Sequence, residues 1–268
     1  MLWDKITSST STSNSEISSL DDFYNIAIRD YNSSKGTLSD YDCPRCQNRG
    51  IFYKLVGENI YQVECDCLEV RNSLERLKKS GITEKMEKNT FDTYIVTEKW
   101  QEVLKTRCME FVENFKLGDS IYLGGQSGSG KTHLCTAICS SLVKRYPLKY
   151  VLWGDIVTKL QASIFKDDVY TQVSDELKNI DILYVDDFFK CISDKTAQNE
   201  LKIAFKILTD RELSHKTTIF SSELTINDIA SLDEAVAGRI VKMVTKKNLL
   251  QIAKNRSRNY RLKDLEMI

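Results

Sequence analysis

The chain has 268 residues, with 38 basic and 38 acidic side chains, so global charge selects neither an anionic nor a cationic partner. Its 41% hydrophobic content supports one large core plus a small one, which excludes a wholly disordered chain. No run of 18 apolar residues and no signal-peptide pattern occurs, which predicts a soluble cytoplasmic protein with no membrane partner.

Local charge is uneven. Nine Lys/Arg and no acid lie between Ala235 and Lys263, while the first 42 residues hold seven acids and three bases. This predicts an anion-facing surface near the C-terminal end. Residues 7–19 are mostly Ser, Thr and Asn and read as a mobile tail. Leu20, Phe23, Tyr24, Ala27, Ile28 and Tyr31 then follow a helical period. That short helix can pack on its own domain or dock on a partner.

Cys43-Pro44-Arg45-Cys46 and Cys65-Asp66-Cys67 come next, in the pattern C-x₂-C-x₁₈-C-x-C. The apolar stretches between them, Gly50 to Leu55 and Ile60 to Val63, read as a hairpin around Gly57-Glu58-Asn59. Four thiolates on adjacent turns suit a tetrahedral Zn²⁺. Such a site has no open position for substrate and is structural, supplying folding energy to a small core. The second pair is tighter than the usual C-x₂-C. Unligated thiols, a redox disulfide or an iron–sulfur cluster are the competing readings. A basic helix, Glu69 to Ser80, links this module to the next domain.

That domain begins near Phe91-Asp92-Thr93-Tyr94, where Phe91 or Tyr94 can serve either as core or as an adenine neighbour. A helix from Trp100 to Phe115 precedes the apolar strand Ser120 to Gly124. Gly125-Gln126-Ser127-Gly128-Ser129-Gly130-Lys131-Thr132 follows, and a helix runs from Lys131 to Tyr146. The spacing is G-x-x-x-x-G-K-T in its strand–loop–helix context. Glycines let backbone N–H groups turn toward phosphate oxygens. The helix N-terminus adds partial positive charge. Lys131 reaches the outer phosphates, and Thr132 is a Mg²⁺ ligand. The predicted cofactors are therefore ATP and Mg²⁺.

Pro147 breaks the chain before a strand at Tyr150 to Trp153, with helices from Asp155 and over Asp167 to Asn179. The apolar run Ile182 to Val185 ends in Asp186-Asp187, which reads as a buried parallel strand delivering two acids beside the phosphate loop. Asp186 is the expected Mg²⁺ ligand and Asp187 the group that orients or deprotonates water. After a helix over Thr196 to Leu213, the strand Thr217 to Ser222 ends in hydroxyls. Ser222, with Ser221 close behind, is the expected phosphate-sensing residue. Helices at 227–230 and 232–243 and a last strand, Leu249 to Ile252, complete the reading.

Taken together, GGQSGSGKT (Gly124 to Thr132), ILYVDDFF (Ile182 to Phe189), TIFSSELT (Thr218 to Thr225), AGRI (Ala237 to Ile240) and NYRLK (Asn259 to Lys263) resemble the AAA+ ATPases of the bacterial helicase-loader group. These are DnaC, DnaI and phage or mobile-element relatives, within the IstB-like ATP-binding superfamily. The cysteine module resembles the helicase-docking zinc domain of the DnaI branch. The resemblance implies an α/β fold, an AAA+ P-loop core of parallel sheet and flanking helices, with a small N-terminal zinc-binding domain. It also implies that no C-terminal helical lid is present. The expected divisions are 1–40 (tail and short helix), 41–80 (four-cysteine module and linker) and 81–268 (ATPase).

It further implies that Arg239 is a finger reaching the γ-phosphate of a neighbouring subunit, and that Arg261 is a second γ-phosphate sensor. Ser221-Ser222 departs from the Ser-Asn or Thr-Asn often found in this group. Function by resemblance is ATP-dependent loading of the replicative DNA helicase onto single-stranded DNA, with self-assembly through the ATPase domain and weak hydrolysis by isolated chains. The alternatives are an IstB-like transposition ATPase that binds duplex DNA and a transposase, and a nucleotide-gated inhibitor that sequesters helicase. A small-molecule kinase is disfavoured, because no acceptor-substrate segment is evident. No residue singles itself out as a DNA contact.

Overall fold

The computed structural model of the protein describes residues 20–262, apart from 40, 58, 80, 164–166, 191 and 193–196. The Ser/Thr/Asn segment at 7–19 and Lys263 lie outside the described residues, and so does Glu58 of the hairpin turn. Two compact units divide between Asn72 and Ser73. This boundary falls earlier than position 80, inside a continuous helix whose second half belongs to the larger unit.

In the smaller unit, α1 (Leu20–Ser33) packs on a hairpin of β1 (Ile51–Val56) and β2 (Asn59–Glu64). Asn32 fixes the contact by bonding both ways with the backbone of Tyr53, donating to its carbonyl at 2.8 Å and accepting from its N–H at 2.9 Å. The Tyr31 and Tyr53 rings meet edge-on at 4.9 Å. The strands pair antiparallel, with Phe52 opposite Val63. The buried cluster beneath them holds Phe52 and the four cysteines, flanked by Tyr41 and Val63.

The helix α2 (Cys67–Lys79) carries the chain into the larger unit. There Leu77 is buried, and the Ser73 hydroxyl accepts from the N–H of Leu148 at 3.1 Å. Next come α3 (Thr83–Lys88), α4 (Lys99–Glu113), β3 (Ile121–Gly125) and α5 (Lys131–Leu142). The chain continues through β4 (Leu148–Leu152), α6 (Trp153–Ala162), α7 (Asp167–Asn179), β5 (Ile182–Phe188) and α8 (Ala197–Leu213). It finishes with β6 (Thr217–Ser222), α9 (Ile226–Leu232), α10 (Glu234–Met243) and β7 (Leu249–Ile252).

The five strands from β3 to β7 form one parallel sheet in the order β4-β5-β6-β3-β7. Both faces are apolar because both are covered, the reason parallel strands read as continuous hydrophobic runs. Ile121, Leu123, Ile182, Tyr184 and Ile219 pack with α3, α4 and α5. Their alternates Tyr122, Leu183, Val185 and Phe220 pack with α6 to α10. Among the described residues, only short 3₁₀ turns follow β7, and no lid helix is present.

One local boundary differs from expectation. The strand before α6 ends at Leu152, and Trp153 opens the helix rather than closing the strand. Its indole N–H donates to Glu200 at 3.1 Å, and its ring packs against Phe188 and Phe189, which turns the side chain under β5.

Arg211 on α8 is wholly buried. Its guanidinium donates to the Thr218 hydroxyl (2.9 Å), to the carbonyls of Leu177 (2.5 Å) and Ile180 (3.0 Å), and to the carbonyl of Thr217. It ties the end of α7 to the starts of β5 and β6. Burial pushes its pKa down, with the Asp181 carboxylate opposing. Arg211→Met fills a similar volume but strands these acceptors. An unmet buried polar group costs roughly 1–3 kcal/mol, so a loss of about 3 kcal/mol is expected in urea unfolding.

Candidate functional site

The turn after β3 bends at three left-handed glycines, Gly125 (φ 104°), Gly128 (φ 70°) and Gly130 (φ 85°). Two are also places of close approach: a Cβ at Gly125 would meet the Ile252 carbonyl, and one at Gly128 the Asn259 side-chain oxygen. No side chain caps α5, whose N-cap is Gly130. That leaves the first backbone N–H groups of the helix to a ligand, and an anion is the ligand this end favours.

Lys131, 7% exposed, donates to the carbonyls of Gly125 (3.0 Å) and Gln126 (2.6 Å). Burial pushes its pKa down, while Glu223 and Asp187 oppose that shift. A buried ammonium held only by backbone carbonyls fits a site made for phosphate.

The end of β5 lies alongside. The Thr132 hydroxyl donates to Asp186 Oδ1 at 3.1 Å, and the Tyr150 hydroxyl donates to Oδ2 at 3.3 Å. Burial and this carboxylate together push the Tyr150 pKa up, so the hydroxyl stays a donor. Thr132 and Asp186 are hard oxygen donors at the spacing a Mg²⁺ between them requires.

After Asp186 the ladder slips between Val185 and Phe188, and Asp187 and Phe189 take left-handed φ of 54° and 58°. Phe188 and Phe189 are both buried and lock the turn from below. Strain of this kind persists only where surrounding packing imposes it, and it gathers at functional sites. Asp187 is thereby half-exposed, with its Oδ2 accepting from Lys190 at 2.8 Å.

A cavity of about 450 Å³ joins these groups. Ser127 to Thr132, Asp186, Asp187 and Arg261 all line it. Gly125 and Gln126 shape the loop from behind, through Gln126 N–H to Ile252 O at 3.1 Å.

Ser222 and Arg239, like Gly125 and Gln126, are not among the residues that line the cavity. Ser222 faces away from the acids, donating to the Phe188 carbonyl at 2.6 Å and accepting from the N–H of Leu224 at 3.1 Å. Ser221 faces the acids, donating to Asp186 and accepting from the N–H of Asp187 at 3.2 Å, but it is buried and does not line the cavity. Alternation along β6 makes the exchange: a one-residue step reverses the face. Arg239 lies on α10, where it bonds Glu212 and sits 5.4 Å from the Phe205 ring centre, outside this chain's own cavity.

Of the other lining residues, Tyr94 is the one read from the sequence as core or as an adenine neighbour. Tyr94 is buried under Gly130, where any Cβ would press on its ring, and its ring meets His133 at 5.3 Å. The 3₁₀ turns after β7 form one wall. Asn255 N–H donates to Gln126 Oε1 (2.8 Å), and Tyr260 N–H donates to the Gly128 carbonyl (2.9 Å). No local pattern announces these long-range bonds. Lys190 and Glu223 were legible in principle, since each lies just past the C-terminal end of a parallel strand, where open sheets place ligands.

The basic C-terminal stretch is not one free surface. Arg239 and Lys242 both pair with Glu212, Lys254 pairs with Asp228 at 3.5 Å, and Arg258 and Arg261 line the cavity.

In the smaller unit, the four Sγ atoms of Cys43, Cys46, Cys65 and Cys67 lie within 4.8 Å of one another, and all four residues are buried. Left-handed turns at Gln47, Asn48 and Gly50 fold the first pair into a knuckle. Gly50 N–H donates to Cys46 Sγ at 3.2 Å. Burial pushes the Cys46 thiol up, but this N–H and the neighbouring thiols bring it down to about 7. Burial raises the pKa values of Cys65 and Cys67. Four thiols so close are compatible with a tetrahedral Zn²⁺, whose charge would replace their protons.

Residues 86–246 match the sequence profile of the bacterial DnaA ATPase domain. The chain belongs to that family. This DnaA-type ATPase is 30% identical to the uncharacterized protein YqaM of Bacillus subtilis (strain 168), over 85% of its own length and 88% of the relative's. Its fold is that of the DnaC helicase loader, with a TM-score of 0.53 at 20% identity, covering 64% of this chain and 99% of that one. It is also that of the replication initiator DnaA bound to AMPPCP and single-stranded DNA, with a TM-score of 0.50 at 22% identity, covering 66% and 55%. The chain thus spans about half of that DnaA. The protein is a replication-associated AAA+ ATPase, and no helix among its described residues is long and apolar enough to cross a membrane.

Proposed function

We propose that this ATPase loads the replicative DNA helicase onto single-stranded DNA. The observation that carries the reading is the pairing of an AAA+ nucleotide cavity, walled by its own C-terminal turns, with a separate four-cysteine unit. An AAA+ core shared with the DnaC loader and with DnaA bound to AMPPCP and single-stranded DNA supports it.

In this reading the turn from Gly125 to Gly130 cradles the phosphates of ATP and Lys131 neutralises their charge. Arg261 approaches from the C-terminal wall. Thr132 and Asp186 hold Mg²⁺, which supplies charge to the phosphoryl oxygens when bound. Asp187 orients the attacking water, and Ser221, rather than Ser222, fixes Asp186. The cysteine unit binds Zn²⁺ and docks the helicase.

Arg239 acts on a neighbouring subunit, which makes hydrolysis depend on assembly and leaves isolated chains weak. Arg239→Ala then keeps ATP affinity but lowers assembly-dependent turnover by roughly 10³-fold, the range in which arginine fingers act. Steady-state ATPase measured against protein concentration reads this directly, and an unchanged concentration dependence contradicts it.

The loading reading is tested by mixing the purified chain with replicative helicase, with and without ATP, and weighing the complex. A defined complex that needs the cysteine unit supports loading. Transfer of the helicase to single-stranded DNA completes the case, and a complex that only withholds helicase from DNA identifies an inhibitor. Assembly on duplex DNA with no helicase bound identifies a transposition ATPase instead.

A further inference from the structure

The phosphate end of the cavity contains a carboxylate that the reading above leaves unused. Glu223 follows the last residue of β6 and lines the cavity with Asp186 and Asp187. Its Oε1 accepts from the hydroxyl of Ser127, a residue of the phosphate loop, at 2.8 Å. It is the charged group with the largest influence on Lys131, and it also acts on Lys190 beside Asp187. Lys131, Lys190, Asp187, Glu223 and Arg261 therefore form one charge cluster around the place expected for the outer phosphate.

An acid at this point repels a triphosphate, so binding alone does not account for it. Asp187, the other half-exposed acid, has one oxygen already engaged by Lys190. The hydrogen bond holding Glu223 is to a neutral serine, which a water molecule can replace at small cost.

We propose that Glu223 is a catalytic residue, which accepts a hydrogen bond from the attacking water and takes its proton. The inference rests on ATP occupying this cavity. The water oxygen bonds to the γ-phosphorus, and the bond from that phosphorus to the bridging oxygen breaks. The electron pair leaves on the β-phosphate of ADP. The water's proton passes to Glu223 and then to bulk solvent. Asp187, restrained by Lys190, positions the same water from the other side.

Glu223→Gln separates chemistry from support, because a glutamine still accepts from Ser127 but takes up no proton. The two readouts are the dissociation constant of a fluorescent ATP analogue and single-turnover hydrolysis of ATP by the full chain. Glu223→Gln is expected to bind the analogue at least as tightly as the native protein, since a repulsive charge is gone. Hydrolysis is expected to fall about 10² to 10⁴-fold, the range for loss of a general base.

Native hydrolysis by Glu223→Gln, with Glu223→Ala inactive, would assign the residue to holding the loop and overturn the proposal. So would a loss of analogue binding by Glu223→Gln comparable to its loss of hydrolysis. Lys131→Ala tells the two levels apart. If it loses the analogue while Glu223→Gln hydrolyses normally, only the role of Glu223 fails. If it binds and hydrolyses normally, the nucleotide reading of the cavity fails with it.

Discussion

Lys131→Ala is expected to weaken ATP binding about 100-fold and to abolish measurable hydrolysis. The ammonium is buried with carbonyl partners and no bonded carboxylate, so its charge is available to a phosphate. A charge-assisted hydrogen bond in such a site is worth about 3 kcal/mol, or about two decades of affinity. The fold should survive the change. Alanine leaves Gly125 and Gln126 with carbonyls that water from the open cavity can reach. Isothermal titration with ATP, read beside a thermal melt, tests both statements. Undiminished binding would remove the nucleotide assignment from this cavity.

Cys43→Ser is expected to empty the cysteine centre and unfold the smaller unit while ATP affinity stays native. The unit's described buried hydrophobics are few: Phe52 and the four cysteines, with Tyr41 and Val63 at the edge of their cluster, and Ala27 and Val70 besides. That is too little apolar surface to offset the ordering of its chain, and structural zinc in comparable small domains supplies about 10–16 kcal/mol. Elemental analysis of the native protein should return one zinc per chain, and Cys43→Ser should return none. Hydrogen exchange should then show residues 41–72 open while 120–132 stays protected. Acidification should act as the mutation does, since protons compete for the thiolates: zinc is held above the pH at which the sulfurs give up their protons and lost below it. Absence of zinc from native protein would end the metal assignment.

The parts of this molecule that were legible from the sequence are those governed by local chemistry. The glycines of the phosphate turn, the apolar run into Asp186 and the paired cysteines each announce themselves within a few residues. The sheet is equally legible, because parallel strands covered on both faces show as unbroken apolar runs. What escaped depends on partners distant in the chain or on a single-residue register. Asn259 and Tyr260 meet Gly128 only once β7 lies beside β3. The choice between Ser221 and Ser222 turns on which face of β6 each occupies, and two adjacent serines cannot reveal it. Trp153 looks like strand and opens a helix because Glu200 and two phenylalanines wait for it.

The position of β3 has a bearing on how the site comes into being. Ile121 pairs with Ile219, and Tyr122 pairs with Leu249, so both neighbours of this strand arrive much later in the chain. Until β6 is made, the phosphate turn has its full set of residues but no sheet to hang from, and the contacts that shape it are among the most non-local in the fold. Closing loops of that length is slow. ATP can therefore select the finished core but cannot template an early one. A protease cut between β5 and β6 that separated the halves would cost the protein its nucleotide while sparing every residue of the G-x-x-x-x-G-K-T sequence.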